Sequence, residues 1–157
     1  MIDYSRLFHT GVLPQDLDEA IEFYSRTLGL TFAEPYQFEA LPIWMPGEGL
    51  IHIRDRFTYS IEGPVHLELQ VGEKGSFYDP ALSRGDHVGV WVDDVTRSVS
   101  DMVAAGWKVI AAGAAPEDGY GLFTYVQPAD GGMVIELVSE TLMEPFQRWF
   151  RGEGLHV

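Results

Sequence analysis

One pattern occurs twice in this chain. His9-Thr10-Gly11-Val12 is followed by Asp16-Leu17, and His87-Val88-Gly89-Val90 by Asp94-Val95. The offset is 87 − 9 = 78 for the histidines and 94 − 16 = 78 for the aspartates. Each copy continues through a helix-like stretch to a glycine, Gly29 or Gly106. Each closes on a carboxylate between apolar neighbours, Leu67-Glu68-Leu69 or Ile135-Glu136-Leu137. One His and one Glu per copy bring two imidazoles and two carboxylates toward a shared pseudo-twofold axis, the donor set of a divalent metal site.

The local signals give each copy the order β-α-β-β-β. Leu7 to Leu13 reads as a strand ended by Pro14. Asp16, with Glu19 three residues on, opens a helix over 17–28 whose apolar stripe is Leu17, Ala20, Ile21, Tyr24 and Leu28, with Gly29 as its cap. Strands follow at roughly 30–38, 41–45, 50–60 and 64–71, with Pro42, Pro46-Gly47 and Glu62-Gly63-Pro64 read as turns. Gly72 to Gly85 reads as a linker with a helical turn near Ala81-Leu82. The second copy has an alternating strand at Val88, Val90 and Val92, a helix from Asp94 to Gly106, and strands at 107–112, 123–127 and 133–138. Asp130-Gly131-Gly132 is a hairpin turn. The expected fold is α+β, two tandem βαβββ modules in one domain over 1–157. Module one spans 5–72 and module two 85–139, with a C-terminal helix at 141–151. The carboxylate offset is 136 − 68 = 68, ten less than that of the histidines, so module one is the longer, with its extra residues expected around Ala40 to Ser60.

Strand parity allows the four residues to meet. His66, Glu68 and Gln70 share the face opposite Val65, Leu67 and Leu69, and His87, Gly89 and Trp91 lie opposite Val88, Val90 and Val92. Glu136 opposes Ile135 and Leu137; His9 and Gly11 oppose Phe8, Thr10 and Val12. The expected metal ligands are therefore His9, Glu68, His87 and Glu136, with His66 as the rival to Glu68, and with His52 and His156 on the surface. Trp44, Tyr59, Trp91, Tyr120 and Phe123 are candidates to line an apolar pocket, joined by Arg54, His66 and Gln70 as candidate substrate contacts.

The formal net charge is −14, which excludes a general nucleic-acid footprint or a polybasic lipid patch. An anionic substrate would need local cations, and the candidates are few: Arg54, Arg56, Lys74, Arg84 and Lys108. There are no cysteines, so thiolate chemistry is excluded. The first residues lack the regions of a signal peptide and no apolar run approaches membrane length, so a cytoplasmic location and no membrane partner are expected. Free sheet edges and the aromatic C-terminal segment lead to the expectation of a homodimer.

The chain resembles the vicinal oxygen chelate superfamily, which includes glyoxalase I, methylmalonyl-CoA epimerase, extradiol dioxygenases, and bleomycin- and fosfomycin-resistance proteins. The resemblance is carried by Phe8-His9-Thr10-Gly11-Val12 with Asp16 to Tyr24 and Leu28-Gly29-Leu30. In the second half it is carried by Asp86 to Val95 and by Gly131-Gly132-Met133-Val134-Ile135-Glu136-Leu137. It implies a curved sheet around one divalent ion (Zn, Ni, Co, Mn or Fe) with open positions for a small-molecule substrate. A carboxylate at Glu68 resembles the four-ligand glyoxalase I and epimerase branches more than the three-ligand dioxygenases. Leu13-Pro14 stands where glyoxalase I usually has an Arg. The activity so implied is proton transfer through a metal-stabilised enolate, of epimerase, isomerase or lyase type, with Glu136, Glu68 or the loop residue Glu48 as the base. The alternatives are an Fe(II)-dependent dioxygenase and a metal-free small-molecule or drug binder.

Overall fold

A computed structural model of the chain describes residues 1–82 and 86–157. Arg84, one of the candidate cations, lies outside the described residues. The elements run β1 (Leu7–Val12), α1 (Leu17–Leu28), β2 (Tyr36–Met45), β3 (Gly49–Tyr59), β4 (His66–Gly72), β5 (His87–Val92), α2 (Val95–Ala104), β6 (Trp107–Ala112), β7 (Phe123–Pro128), β8 (Ile135–Ser139) and α3 (Met143–Phe150). Both long helices start as the sequence requires. The Asp16 side chain accepts from the Glu19 amide and Asp94 from the Arg97 amide, while Gly29 takes the left-handed φ of 70° that closes α1.

The eight strands close into a barrel in the order β1-β4-β3-β2-β6-β7-β8-β5, with β5 paired back onto β1. Helices α1 and α2 lie outside. Leu17 and Ala20 of α1 pack on Leu69, and Val95, Val99 and Met102 of α2 pack on Val90, Val92, Ile135 and Leu137. Parity then turns the opposite faces of the same strands into the barrel. Closure narrows the free sheet edges, one of the two grounds of the dimer expectation, to the seam where β2 and β6, the two strands that join the modules, pair at Trp44 and Ala112.

Several boundaries differ from the sequence reading. The stretch from Leu30 holds only a bridge, Phe32 to Ser60, and β2 begins at Tyr36. It then runs straight through Pro42, expected as a turn. Pro42 stays in register with His52 on the β3 side, while the β6 side is paired only at Trp44, which leaves Pro42 at a sparsely bonded edge. Part of the extra length of module one is ladder rather than loop, since β2 and β3 have 10 and 11 residues where β6 and β7 have 6 each. A register shift in the β1–β5 pairing, between Leu7 and His9, puts Phe8 on the inner side, stacked on Trp91 with ring centroids 3.7 Å apart. The expected linker is core: Phe77 and Tyr78 are each 1% exposed and pack with Ile43, Ile53 and Tyr125. The helical turn expected there is a 3₁₀ turn at Pro80–Leu82.

Where β1 meets β5, His9 pairs with Gly89 and Gly11 with His87. A Cβ on Gly89 would fall within the His9 ring, and one on Gly11 within the His87 ring. The repeated His-X-Gly therefore has a steric cause, in that each module's glycine makes room for the other module's imidazole. Gly89→Ala and Gly11→Ala are expected to destabilise the fold by about 1–3 kcal/mol through overpacking, with Thr10→Ala as control. Urea unfolding midpoints check this.

Candidate metal centre

His9, Glu68, His87 and Glu136 are all buried inside the barrel, each offering one donor atom, and these atoms lie within 4.8 Å of one another. His9 Nε2 stands 3.0 Å from His87 Nε2, 3.5 Å from Glu68 Oε2 and 3.2 Å from Glu136 Oε2. His87 Nε2 is 3.0 Å from Glu68 Oε2 and 3.5 Å from Glu136 Oε2. A metal bonded at about 2.0–2.2 Å to N and O donors separates neighbouring donors by roughly 2.9–3.6 Å in a tetrahedral or octahedral shell. The donor set and its spacing fit such an ion.

The electrostatics agree. Burial by itself pushes the Glu136 carboxyl up, but the imidazoles of His87 and His9 outweigh it and hold the group well below the usual carboxylate range. Burial likewise opposes charge on His87, yet its hydrogen bonds to Glu136 and Glu68 raise its pKa to about 10. Two buried carboxylates side by side demand positive charge. Protonated imidazole meets that demand in the metal-free chain, and a divalent cation meets it with both imidazoles neutral.

The duplication extends beyond the donors. Glu68 lies between Gly11 and Tyr59 across the sheet, and Glu136 between Gly89 and Tyr125. Tyr59 stands edge-on to His9 at 5.2 Å between centroids, and Tyr125 edge-on to His87 at 5.0 Å. Tyr125 escaped the sequence reading, although its offset from Tyr59, 125 − 59 = 66, is close to that of the carboxylates.

A cavity of about 300 Å³ opens onto the donors, and Glu68 and Glu136 form part of its wall with Tyr59, Gln70 and Phe123. Several candidate contacts lie elsewhere. Trp91 is packed between Phe8 and Phe146, and Tyr120 packs on the α2 side of β5. Trp44 sits where β2 meets β6, away from the wall. The Arg54 side chain is 73% exposed and pairs with Glu39. His66 shares the face of Glu68 but sits one strand repeat away, too far to replace it; its Nδ1 is bonded at 2.6 Å to the Ser60 carbonyl and its ring lies against Phe150. Glu48 lies in the exposed turn between β2 and β3, outside the cavity wall.

The interior holds another acid that the sequence reading missed. Asp55, 2% exposed, alternates inward between Ile53 and Phe57 on β3. Its Oδ2 accepts from Gln70 Nε2 at 2.9 Å, and its Oδ1 has no hydrogen-bond partner among the described residues. Burial, with the nearby Glu68 charge adding to it against the Gln70 hydrogen bond, raises its pKa to about 8. In sequence it stands between Arg54 and Arg56, and the two-residue period of β3 turns it to the face opposite both.

The sequence profile described as the Glyoxalase/Bleomycin resistance protein/Dioxygenase superfamily matches residues 8–125. Solved structures share the fold. Methylmalonyl-CoA epimerase from Mycobacterium tuberculosis is 19% identical, covers 88% of this chain and 92% of its own, and gives a TM-score of 0.58. A variant of Streptomyces coelicolor methylmalonyl-CoA epimerase, in complex with 2-nitronate-propionyl-CoA, is 22% identical over 85% of this chain and 96% of its own, with a TM-score of 0.58. A hypothetical protein from Bacillus halodurans is 18% identical over 85% and 92%, with a TM-score of 0.57. No curated protein matches the sequence significantly. The chain belongs to the glyoxalase/bleomycin resistance protein/dioxygenase superfamily, also called the vicinal oxygen chelate superfamily.

Proposed function

We propose that the protein is a divalent-metal-dependent enzyme that moves a proton at the carbon next to a carbonyl, of the epimerase, isomerase or lyase type. The observation that carries this reading is the convergence of four buried donors at coordinating distances on the wall of a small-molecule cavity. His9, Glu68, His87 and Glu136 would hold the ion. When bound, a divalent ion supplies Lewis acidity that stabilises negative charge developing on a carbonyl oxygen. The epimerase structures that share this fold support the reaction type.

The chain's own residues supply the proton acceptor. Glu48 is outside the cavity, whereas Glu68 and Glu136 lie on its wall and face its occupant as the acceptors. Asp55 lies behind that wall, buried, with a pKa near 8 and an oxygen without a hydrogen-bond partner among the described residues. Gln70, which lines the cavity and donates to Asp55, links this buried acid to the wall, so that Asp55 positions the Gln70 amide.

Three outcomes test this. Under anaerobic conditions the metal-loaded protein washes deuterium into the α-carbon of at least one member of a panel of charged and uncharged carbonyl compounds. A chelator abolishes this and added Zn²⁺, Co²⁺, Ni²⁺ or Mn²⁺ restores it; exchange indifferent to chelator sinks the reading. Glu68→Ala lowers metal affinity by roughly a hundredfold in chelator competition, while Glu48→Ala leaves it unchanged. Asp55→Asn, which changes how Gln70 is held at the wall, slows exchange by about tenfold with metal content unchanged. The same change has a pH signature. Asp55 keeps a proton in the folded state up to about pH 8, whereas the unfolded chain releases it near 3.8. Its contribution to stability therefore falls as pH rises between those values and levels off above them. Thermal melts should show Asp55→Asn gaining on the parent across that window.

A further inference from the structure

The stretch that follows α3 lies outside the repeated unit and crosses the cavity. Residues 151–153 and 156–157 are exposed, but Leu155 between them is buried. Leu155 packs into the cluster of Phe57, Tyr59, Phe146 and Trp149, and with Val157 it forms part of the cavity wall. Two glycines precede this anchor. Gly152 and Gly154 take left-handed φ values of 84° and 79°, a conformation that bends the chain sharply and that glycine enters without strain.

Little besides Leu155 holds the stretch down. Its last backbone hydrogen bonds run from the Gly152 and Glu153 amides to the carbonyls of Trp149 and Arg148. Residues 154–157 make no hydrogen bond among the described residues. Glu153 pairs with Arg148 at 3.0 Å and with Arg151 at 3.2 Å, but these groups stand in solvent, where ion pairs contribute little. Helix α3 is held differently. Trp149 is fully packed, and its indole N–H donates to the Glu34 carbonyl at 2.9 Å. A firmly seated helix therefore gives way, at Gly152, to a segment fastened by the burial of one leucine. That burial amounts to roughly 10- to 100-fold in an equilibrium.

We infer that residues 152–157 form a strap over the cavity, hinged at Gly152 and Gly154, and that lifting Leu155 admits small molecules to the space in front of the four donors. Closed, Leu155 and Val157 complete the wall. The open form is populated in roughly 1–10% of molecules, which makes entry frequent while the cavity stays covered most of the time. This rests on reading the cavity as the route to the metal centre, and it requires no particular reaction there.

The chain has no cysteine, so a single introduced thiol reports access without background. Val138→Cys places that thiol on the cavity wall, at a buried position in the same cluster as Leu155. Its labelling by N-ethylmaleimide, an uncharged and compact probe, is timed in the folded, metal-free protein. Adding Leu155→Ala is expected to speed labelling about tenfold. Adding Gly154→Ala removes no packed side chain but disfavours the left-handed hinge, and is expected to speed labelling about fivefold or more. Val99→Ala leaves a hole in the core under α2, away from the cavity, and is expected to change labelling less than twofold. Strap variants that label no faster than the parent overturn the inference. So does an equal acceleration by Val99→Ala, because exposure then comes from general unfolding. If Leu155→Ala does not fold, Gly154→Ala decides alone. Chelator competition reads the metal centre separately. A chain that labels as expected but takes up no Zn²⁺ loses the proposed function and keeps the strap, whereas normal uptake with unaccelerated labelling removes the strap alone.

Discussion

Two carboxylates buried in a closed barrel are the constraint around which the rest of this structure is arranged. Glu68 and Glu136 are 4% and 7% exposed, so each must face positive charge, and His9 and His87 stand within 3.5 Å of both. For the imidazoles to reach across β1 and β5, the residues opposite them must be glycine. For the strands to point acids inward, their other faces must be apolar enough to hold a helix, and Leu69 under α1 and Leu137 under α2 do this. The His-X-Gly repeat, the acid between apolar residues and the capped helices are thus parts of one solution, used once per module.

The modules share the donor centre and differ around it. Tyr59 and Tyr125 occupy matching places beside their carboxylates, but they have different neighbours. Tyr59 packs under Phe146 and Trp149 of α3, whereas Tyr125 bonds Tyr78 from the segment that joins the modules. The Phe77-Tyr78 segment and α3 are both packed into the barrel interior, each through its own aromatic cluster, and the cavity touches both. Neither belongs to the repeated unit. The duplicated residues build the charge centre, and the unrepeated ones shape the space in front of it.

Asp55, held behind the wall by Gln70, carries a cost of its own. A buried acid with one unpartnered oxygen lowers stability at neutral pH, since the unfolded chain would ionise it freely. An apolar residue of similar volume would pack there more cheaply, which is the usual sign of a group retained for chemistry rather than for the fold.

The repeat, the two capped helices, the inward faces of β4, β5 and β8 and the four converging donors were legible in the sequence alone. They depend on one-dimensional properties: strand and helix periods, capping residues, and equal spacing between copies. Tertiary structure alone decided the rest. Whether the sheet stays open or closes depends on β2 meeting β6. A single register shift carries Phe8 inside and, with Trp91, beneath α3. The Gly- and Ser-rich stretch before Pro80 becomes core because the barrel has room for Phe77 and Tyr78. Asp55 sits between two arginines in sequence, yet points away from both because neighbouring strand residues face opposite sides. Each of these outcomes comes from contacts between segments far apart in the chain, and no local pattern encodes which of those contacts will form.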